Sequence, residues 1–163
     1  MSNASKFPME GGCSCRAVRY RMKTAPIVVH ACHCTWCQRE SGSACAVNAV
    51  VESGQVEVIA GKPEVVDTPS HSGKGQKIVR CPDCKVALWS YYATAGEAMS
   101  FIRVGTLADP SACPPDIHIF TSTKQPWVQL PAGAKAYAEF YNARDVWPPE
   151  ALARWRAGLS RGA

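Results

Sequence analysis

The chain has 163 residues, which suits one domain with a hydrophobic core, and its 47% hydrophobic and 19% charged residues exclude a disordered or collagen-like chain. No run of eighteen apolar residues is present and residues 1–15 lack the apolar core of a secretory signal, so we expect a cytoplasmic protein without a membrane anchor. The net charge of +5 admits nucleic acid, an acidic membrane or a small anion as a partner and does not choose among them.

The ordered part of the chain is expected to begin at Gly11. Residues 1–10 are polar and are predicted to be a flexible segment. Gly11 and Gly12 then permit the tight, positive-φ backbone that a C-x-C knuckle at Cys13-Ser14-Cys15 requires beside a metal.

Short runs of alternating or β-branched residues follow and predict a mainly β fold. Residues 38–43 have too few apolar side chains for a strand and predict a short helix or a loop, whereas residues 52–55 are predicted to be a hairpin turn. The spacing indicates a meander of short antiparallel strands. The expected extended segments are 18–22, 27–31, 44–51, 56–60, 64–67, 76–80, 86–92, 100–106 and 116–120.

A C-terminal helix is predicted to pack on the strands. Pro148-Pro149 can begin it, and its apolar face would carry Leu152, Trp155 and Leu159, with Gly158 near its end.

Nine cysteines indicate metal binding rather than a disulfide framework. Their number is odd, and seven of them fall in close clusters, which fits reduced thiols that hold metal. Cys45 and Cys113 lie outside the clusters and are interpreted as small buried hydrophobic residues without a role.

The central cluster, Cys32-His33-Cys34-Thr35-Trp36-Cys37, places three thiols within six residues. Thiolates bind zinc strongly, and a sharp turn can aim all three sulfurs at one point. A catalytic zinc keeps three protein ligands and an open fourth position, whereas a distant fourth cysteine or histidine would make the site structural. The spacing is compatible with both readings.

Cys81-Pro82-Asp83-Cys84 is a C-x-x-C knuckle typical of zinc sites. A redox C-x-x-C normally opens a helix, and a strand-like run follows here instead, which favours zinc. The clustered cysteines divide into one four-ligand site and one three-ligand site. Which knuckles pair is not fixed by the spacing.

These motifs together resemble the glutathione-dependent formaldehyde-activating enzyme family, which includes centromere protein V-like proteins. The resemblance covers most of the chain. It rests on Gly11-Gly12-Cys13-x-Cys15 with Val18-Arg19-Tyr20, Cys32-His33-Cys34-x-x-Cys37-x-Arg39 with Ser41-Gly42-Ser43, Cys81-x-x-Cys84 with Leu88, His118-Ile119 and Trp127.

The resemblance implies a zinc-stapled β-tent-like fold over residues 11–163, as a single zinc-binding domain with two Zn²⁺ sites. Cys13, Cys15, Cys81 and Cys84 would hold a structural zinc, and Cys32, Cys34 and Cys37 a catalytic zinc. The chain departs from the family at Arg16 and Lys85, where glycine commonly follows each outer knuckle.

The implied activity joins formaldehyde to glutathione, or cleaves S-hydroxymethylglutathione, so the chain is predicted to be a zinc-dependent carbon–sulfur lyase with glutathione or a related thiol as its small-molecule partner. The alternative is a non-catalytic, zinc-stabilised module that contacts nucleic acid or protein. The basic residues that could form its binding surface are Lys74, Lys77, Arg80, Lys85, Arg154, Arg156 and Arg161. Acidic residues are interspersed and no nucleic-acid reader motif is present, so nucleic acid is not the expected partner.

Several other side chains have two readings. Trp36 could wall a pocket or pack in the core, and Arg39 could pair with a substrate carboxylate or lie on the surface. His33 is expected to face away from the metal, and His118 is expected to be a structural histidine. Trp127, like Trp89, is expected in the core.

Overall fold

The computed structural model describes residues 6–161, and within them the fold is mainly β, as predicted. The helices are α1 (Thr35–Ser41), α2 (Ala143–Val146) and α3 (Pro149–Arg161). The strands are β1 (Met9–Gly12), β2 (Arg19–Met22), β3 (Val28–Cys32), β4 (Ala46–Glu52), β5 (Val56–Ala60), β6 (Glu64–Thr68), β7 (Gln76–Arg80), β8 (Ala87–Tyr92), β9 (Met99–Arg103), β10 (Ile117–Ile119) and β11 (Lys135–Ala136).

Eight strands form a large sheet in the order β11-β10-β3-β4-β9-β8-β7-β6. The predicted antiparallel meander is confirmed for β6 to β9, which pair in sequence order. It is wrong for β10, which runs parallel to both β3 and β11. A long connection after β9 carries the chain across the sheet, and β10 therefore joins β3 without the reversal that a tight turn imposes.

A smaller sheet has the order β1-β2-β5. The predicted hairpin between β4 and β5 is therefore wrong, because these two strands belong to different sheets. Strand β4 is buried along most of its length between β3 and β9, so no edge is free for β5. A 3₁₀ turn at Ser53–Gln55 instead carries the chain out of the large sheet, and β5 pairs with β2.

The main core lies between the two sheets. Tyr20 and Met22 of β2 are fully buried, as the alternation predicted, and they belong to one cluster with Ala49 and Ile102 of the large sheet. The Tyr20 ring meets the edge of Trp89 with centroids 5.5 Å apart, so Trp89 is a core residue as expected.

The other face of the large sheet is covered by the C-terminal region. Helix α3 begins at Pro149, as predicted, and its most buried residues are Ala151 and Gly158. A Cβ at Gly158 would lie 2.2 Å from Met99 Cε, so a small residue is needed where the helix crosses β9. Leu152 packs against a second cluster of buried residues on this face, which includes Val28, Ile117 and Trp147, but it stays partly exposed.

Strand β1 pairs Met9 and Glu10 with β2, so these residues of the segment predicted to be flexible belong to the small sheet, whereas residues 1–5 lie outside the described part. Trp127 is 71% exposed, so its predicted place in the core is wrong; the residues around it form turns on the surface. Within residues 6–161, no helix is both long and apolar enough to cross a membrane.

Candidate metal centre

The two outer knuckles meet in space. The sulfurs of Cys13, Cys15, Cys81 and Cys84 all lie within 4.8 Å of one another. Cys13 Sγ is 3.5 Å from Cys15 Sγ, which is 3.6 Å from Cys81 Sγ. Zinc–sulfur bonds of about 2.3 Å in a tetrahedron set the sulfurs about 3.8 Å apart, so this cluster has the dimensions of a four-thiolate metal site.

Each knuckle turns in the same way. The backbone N–H of Arg16 donates to Cys13 O at 3.1 Å, and that of Lys85 donates to Cys81 O at 3.0 Å. Both residues have a left-handed backbone, with φ of 65° for Arg16 and 61° for Lys85. These are the two positions at which the resemblance predicts glycine, and non-glycine residues here adopt a conformation that favours glycine.

The central cluster forms where β3 ends and α1 begins. Cys32 is the last residue of β3, Cys34 is the N-cap of α1, and Cys37 lies in the first helical turn. Their three sulfurs lie within 4.8 Å of one another, and all three residues are buried. The predicted short helix therefore begins earlier than residue 38, because Cys34 Sγ accepts the backbone N–H of Cys37 at 3.3 Å and caps it.

Hydrogen bonds between these thiols divide their charge unequally. Hydrogen bonds with Cys32 and Cys37 lower the pKa of the Cys34 thiol to about 2. The hydrogen bond with Cys34 raises the pKa of Cys32, and so do the hydrogen bond with Cys37 and burial. Three buried anionic sulfurs this close would repel one another strongly. The cluster is therefore suited to a soft divalent cation, which would favour the thiolate form of all three.

Among the His, Cys, Asp and Glu side chains of residues 6–161, no fourth donor joins this group. The imidazole of His33 lies between the cysteines in sequence but pairs elsewhere: its Nε2 is 3.0 Å from Nδ1 of His118, and the two rings stack. The described residues therefore offer three thiols, and no fourth His, Cys, Asp or Glu, to a metal ion at this position.

An open cleft of about 840 Å³ adjoins this part of the chain. Trp36, between Cys34 and Cys37, is 38% exposed and lines the cleft, so it walls a pocket instead of filling the core. Tyr92 of β8 also lines it, and the pKa of Tyr92 is raised by burial and by the charge of Cys37. The three cysteines are not among the residues that line the cleft, so Trp36 connects it to the cluster along the chain.

The remaining predicted residues belong to neither cysteine group. Arg39 is exposed and is not among the residues that line the cleft. Cys113 is buried in the main core, as expected of a small apolar residue, and Cys45 is only partly buried. Sequence reasoning missed Tyr92 because its orientation depends on how β8 pairs with its neighbours.

Most of the cations considered for a nucleic-acid surface are paired with carboxylates. The pairs are Lys77 with Glu97 at 2.7 Å, Lys85 with Glu64 at 2.9 Å, Arg154 with Glu52 at 2.6 Å, and Arg80 with Glu40. Their charge is therefore largely balanced within the chain.

A mainly β fold with one four-cysteine and one three-cysteine cluster defines the class: a β protein with two candidate metal sites. A family model described as glutathione-dependent formaldehyde-activating enzyme matches residues 8–123. The chain belongs to the glutathione-dependent formaldehyde-activating enzyme family, as its motifs predicted.

Individual proteins are also similar to this chain. A Halomonas elongata protein, provisionally named a glutathione-dependent formaldehyde-activating enzyme, is 24% identical over 160 residues, which cover 94% of this chain and 99% of that protein. The crystal structure of a Rhodobacter sphaeroides protein also matches, with 18% sequence identity and a TM-score of 0.45. The match covers 61% of this chain and 88% of the Rhodobacter sphaeroides chain.

Proposed function

We propose that this chain is a zinc-dependent carbon–sulfur lyase that acts on a glutathione–aldehyde adduct of the S-hydroxymethylglutathione type, or on a related thiol adduct. The observation that carries the proposal is the three-thiolate cluster of Cys32, Cys34 and Cys37, which lacks a fourth protein donor within residues 6–161. The family's printed description supplies glutathione and formaldehyde as the substrate class.

We assign one zinc ion to each cysteine cluster. The four outer cysteines join the turn after β1 to the turn after β7, so an ion there would staple the small sheet to the large one. Zinc held by the central three cysteines would supply a position at which a substrate thiol is stabilised as its thiolate at neutral pH.

The chain's own residues would bind and orient the adduct. The cleft is lined by Tyr92 and by Trp36, which lies between Cys34 and Cys37 in the sequence, and both rings would limit the access of water to the reacting sulfur. The cleft, at about 840 Å³, is within the range of small-molecule sites. Lys74 on its rim would attract the negative charge of the peptide part of glutathione.

In the cleavage direction, the bond between sulfur and the hydroxymethyl carbon breaks and sulfur keeps the electron pair. The hydroxyl group loses its proton as the carbonyl of formaldehyde forms, and the thiolate gains a proton on release, so the reaction is balanced without an oxidant or reductant. Stabilising the leaving thiolate is favoured over polarising the carbonyl oxygen, because three thiolate ligands weaken the Lewis acidity of the ion.

The non-catalytic alternative has less support. A purely structural centre would be expected to have four protein ligands, as the outer cluster can. The paired state of Lys77, Arg80, Lys85 and Arg154 also leaves little unbalanced positive charge for nucleic acid.

The test is the rate of formaldehyde release from S-hydroxymethylglutathione by zinc-loaded protein, above the uncatalysed rate. Cys34→Ala should abolish the excess rate, and Cys45→Ala, which alters a cysteine outside both clusters, should retain it. Equal excess rates for wild type and Cys34→Ala, or no excess rate in wild type that holds two zinc ions, would refute the proposal.

A further inference from the structure

An ion pair joins the helix of the central cluster to the strand that leads into the outer cluster. Glu40 lies in α1, three residues after Cys37, and Arg80 is the last residue of β7, directly before Cys81. Nη2 of the Arg80 guanidinium donates to a carboxylate oxygen of Glu40. In the large sheet, β3 and β7 are separated by β4, β9 and β8, so this contact links two clusters that the strand order keeps apart.

The same guanidinium also holds the outer knuckle. Its Nη1 donates to the backbone O of Lys85 at 3.0 Å, and the backbone N–H of Lys85 donates to Cys81 O at 3.0 Å. Arg80 and Glu40 line a cavity of about 540 Å³ that Cys84 also lines. Arg80 therefore contacts the turn of the outer cluster with one nitrogen and helix α1 with the other.

The contact with Arg80 explains the position of Glu40, which its helix does not favour. Glu40 is in the last turn of α1, where the negative end of the helix dipole opposes a carboxylate. The side chains of Arg80 and Glu40 are only 20% and 19% exposed, so the pair is more than a solvated surface contact. Removing one partner would leave a partly buried charge without its counter-charge. The pair is therefore expected to fix α1 relative to the end of β7.

We propose that the Arg80–Glu40 pair couples the two metal sites, so that an ion in the outer cluster strengthens the binding of an ion in the central cluster. The inference rests on the proposed function, in which each cluster holds one zinc ion. An ion in the outer cluster would fix the turn whose Lys85 carbonyl orients the guanidinium. The oriented guanidinium would hold Glu40, and with it the helix that carries Cys37, at a smaller cost in conformational entropy.

The coupling implies an order of metal loading. Coupling between two sites is reciprocal, so an ion in the central cluster would strengthen the outer site by the same factor. Four thiolates can hold the first ion without an outside ligand, and the second ion would then meet a helix that is already positioned. Arg80 is thus a positioning residue for the three-thiolate site.

The test measures the affinity of the central site by competition with a chelator, with the central ion identified as the one that Cys34→Ala loses. Glu40→Gln breaks the ion pair but leaves the other contact of the Arg80 guanidinium, and it should weaken the central ion by about 5–10-fold. Glu52→Gln is the matched control, because Glu52 forms a partly buried ion pair with Arg154 and belongs to neither cluster. It should leave the affinity unchanged.

A double-mutant cycle separates coupling from a merely structural role. Cys81→Ser empties the outer site and should also weaken the central ion. If the ion pair carries the coupling, Glu40→Gln together with Cys81→Ser should bind the central ion no more weakly than Cys81→Ser alone, whereas independent effects would multiply. Arg80→Lys serves if Glu40→Gln does not fold, because lysine presents one nitrogen in place of two. Its smaller loss should likewise vanish in the Cys81→Ser protein.

Three results would overturn the inference and leave the proposed function intact, provided that wild type releases formaldehyde. They are an unchanged central affinity in Glu40→Gln, an equal loss in Glu52→Gln, and losses that multiply in the double variant. A non-additive cycle in a protein that releases no formaldehyde would support the inference and refute the proposed function. One zinc ion per chain in wild type would refute both.

Discussion

Arg16 offers a sharp test of the knuckle geometry. Its φ of 65° is left-handed, its side chain is exposed, and it forms no ion pair within residues 6–161. Replacing it by glycine should relieve the contact of Cβ with the following carbonyl. Replacing it by alanine removes the same side chain and the same charge beside the outer cluster but keeps Cβ, so Arg16→Ala is the matched control.

The magnitude follows from two opposing effects. A non-glycine residue in the left-handed conformation costs about 1–2 kcal/mol. Glycine gains freedom in the unfolded chain, which offsets about 0.4–1 kcal/mol of that relief. We therefore expect Arg16→Gly to be more stable than Arg16→Ala by about 1 kcal/mol, which is about 2–4 °C in melting temperature for a chain of this size.

The assay is thermal and urea unfolding at saturating zinc, so that metal loss does not limit stability. Lys85→Gly is a graded comparison: it has the same backbone strain, with φ of 61°, but it also loses the exposed ion pair with Glu64. That pair is worth about 0.2–1 kcal/mol, so the gain from Lys85→Gly should be smaller. Equal stability of Arg16→Gly and Arg16→Ala would refute the reasoning.

Three further predictions concern packing, charge and metal. Gly11→Ala should destabilise the protein by about 1–3 kcal/mol in urea unfolding, because the new Cβ would lie 2.5 Å from the Tyr20 ring. Wild type should lose more stability than Arg154→Met as the pH falls below 4.5 in unfolding titrations. Burial opposes ionisation of Glu52, but hydrogen bonds from Arg154 lower its pKa below 4.5, so this contribution is present above that pH and is lost as Glu52 protonates. Cys81→Ser should lose one zinc ion by elemental analysis and melt at a lower temperature, because Cys81 belongs to the cluster between the two sheets.

Each of these has an outcome that contradicts it. Gly54→Ala is the control for packing, since a Cβ there meets nothing within 4 Å, and equal effects at Gly11 and Gly54 would contradict the close approach. A stability difference between wild type and Arg154→Met that stays constant down to pH 3 would contradict the role of Glu52. Two zinc ions retained in Cys81→Ser would contradict the four-cysteine assignment.

Local patterns predicted much of the fold. The alternation of Tyr20 and Met22 marked a strand with one buried face, and Pro149 marked the beginning of α3. The cysteine spacing separated three central thiols from four outer ones, although the meeting of the two outer knuckles depends on strands that are distant in sequence. The deepest residues of α3 are small, because contact distance and not side-chain size decides burial at a helix crossing.

The rest depended on pairing between distant segments. The turn at residues 52–55 looked like a hairpin, but β5 leaves for another sheet because β4 already has two neighbours. Tyr92 was not among the candidate residues, because its place at the cleft depends on how β8 is in register with β7. Sequence spacing cannot show such a register.

The central claim is that Cys32, Cys34 and Cys37 hold an ion whose fourth position accepts an outside thiol. The most direct measurement is the sulfur-to-metal absorption of cobalt-substituted protein titrated with glutathione. We expect two cobalt ions per chain and a saturable spectral change with glutathione that is absent from Cys34→Ala. A spectrum that glutathione leaves unchanged, or one cobalt ion per chain in both proteins, would contradict the claim.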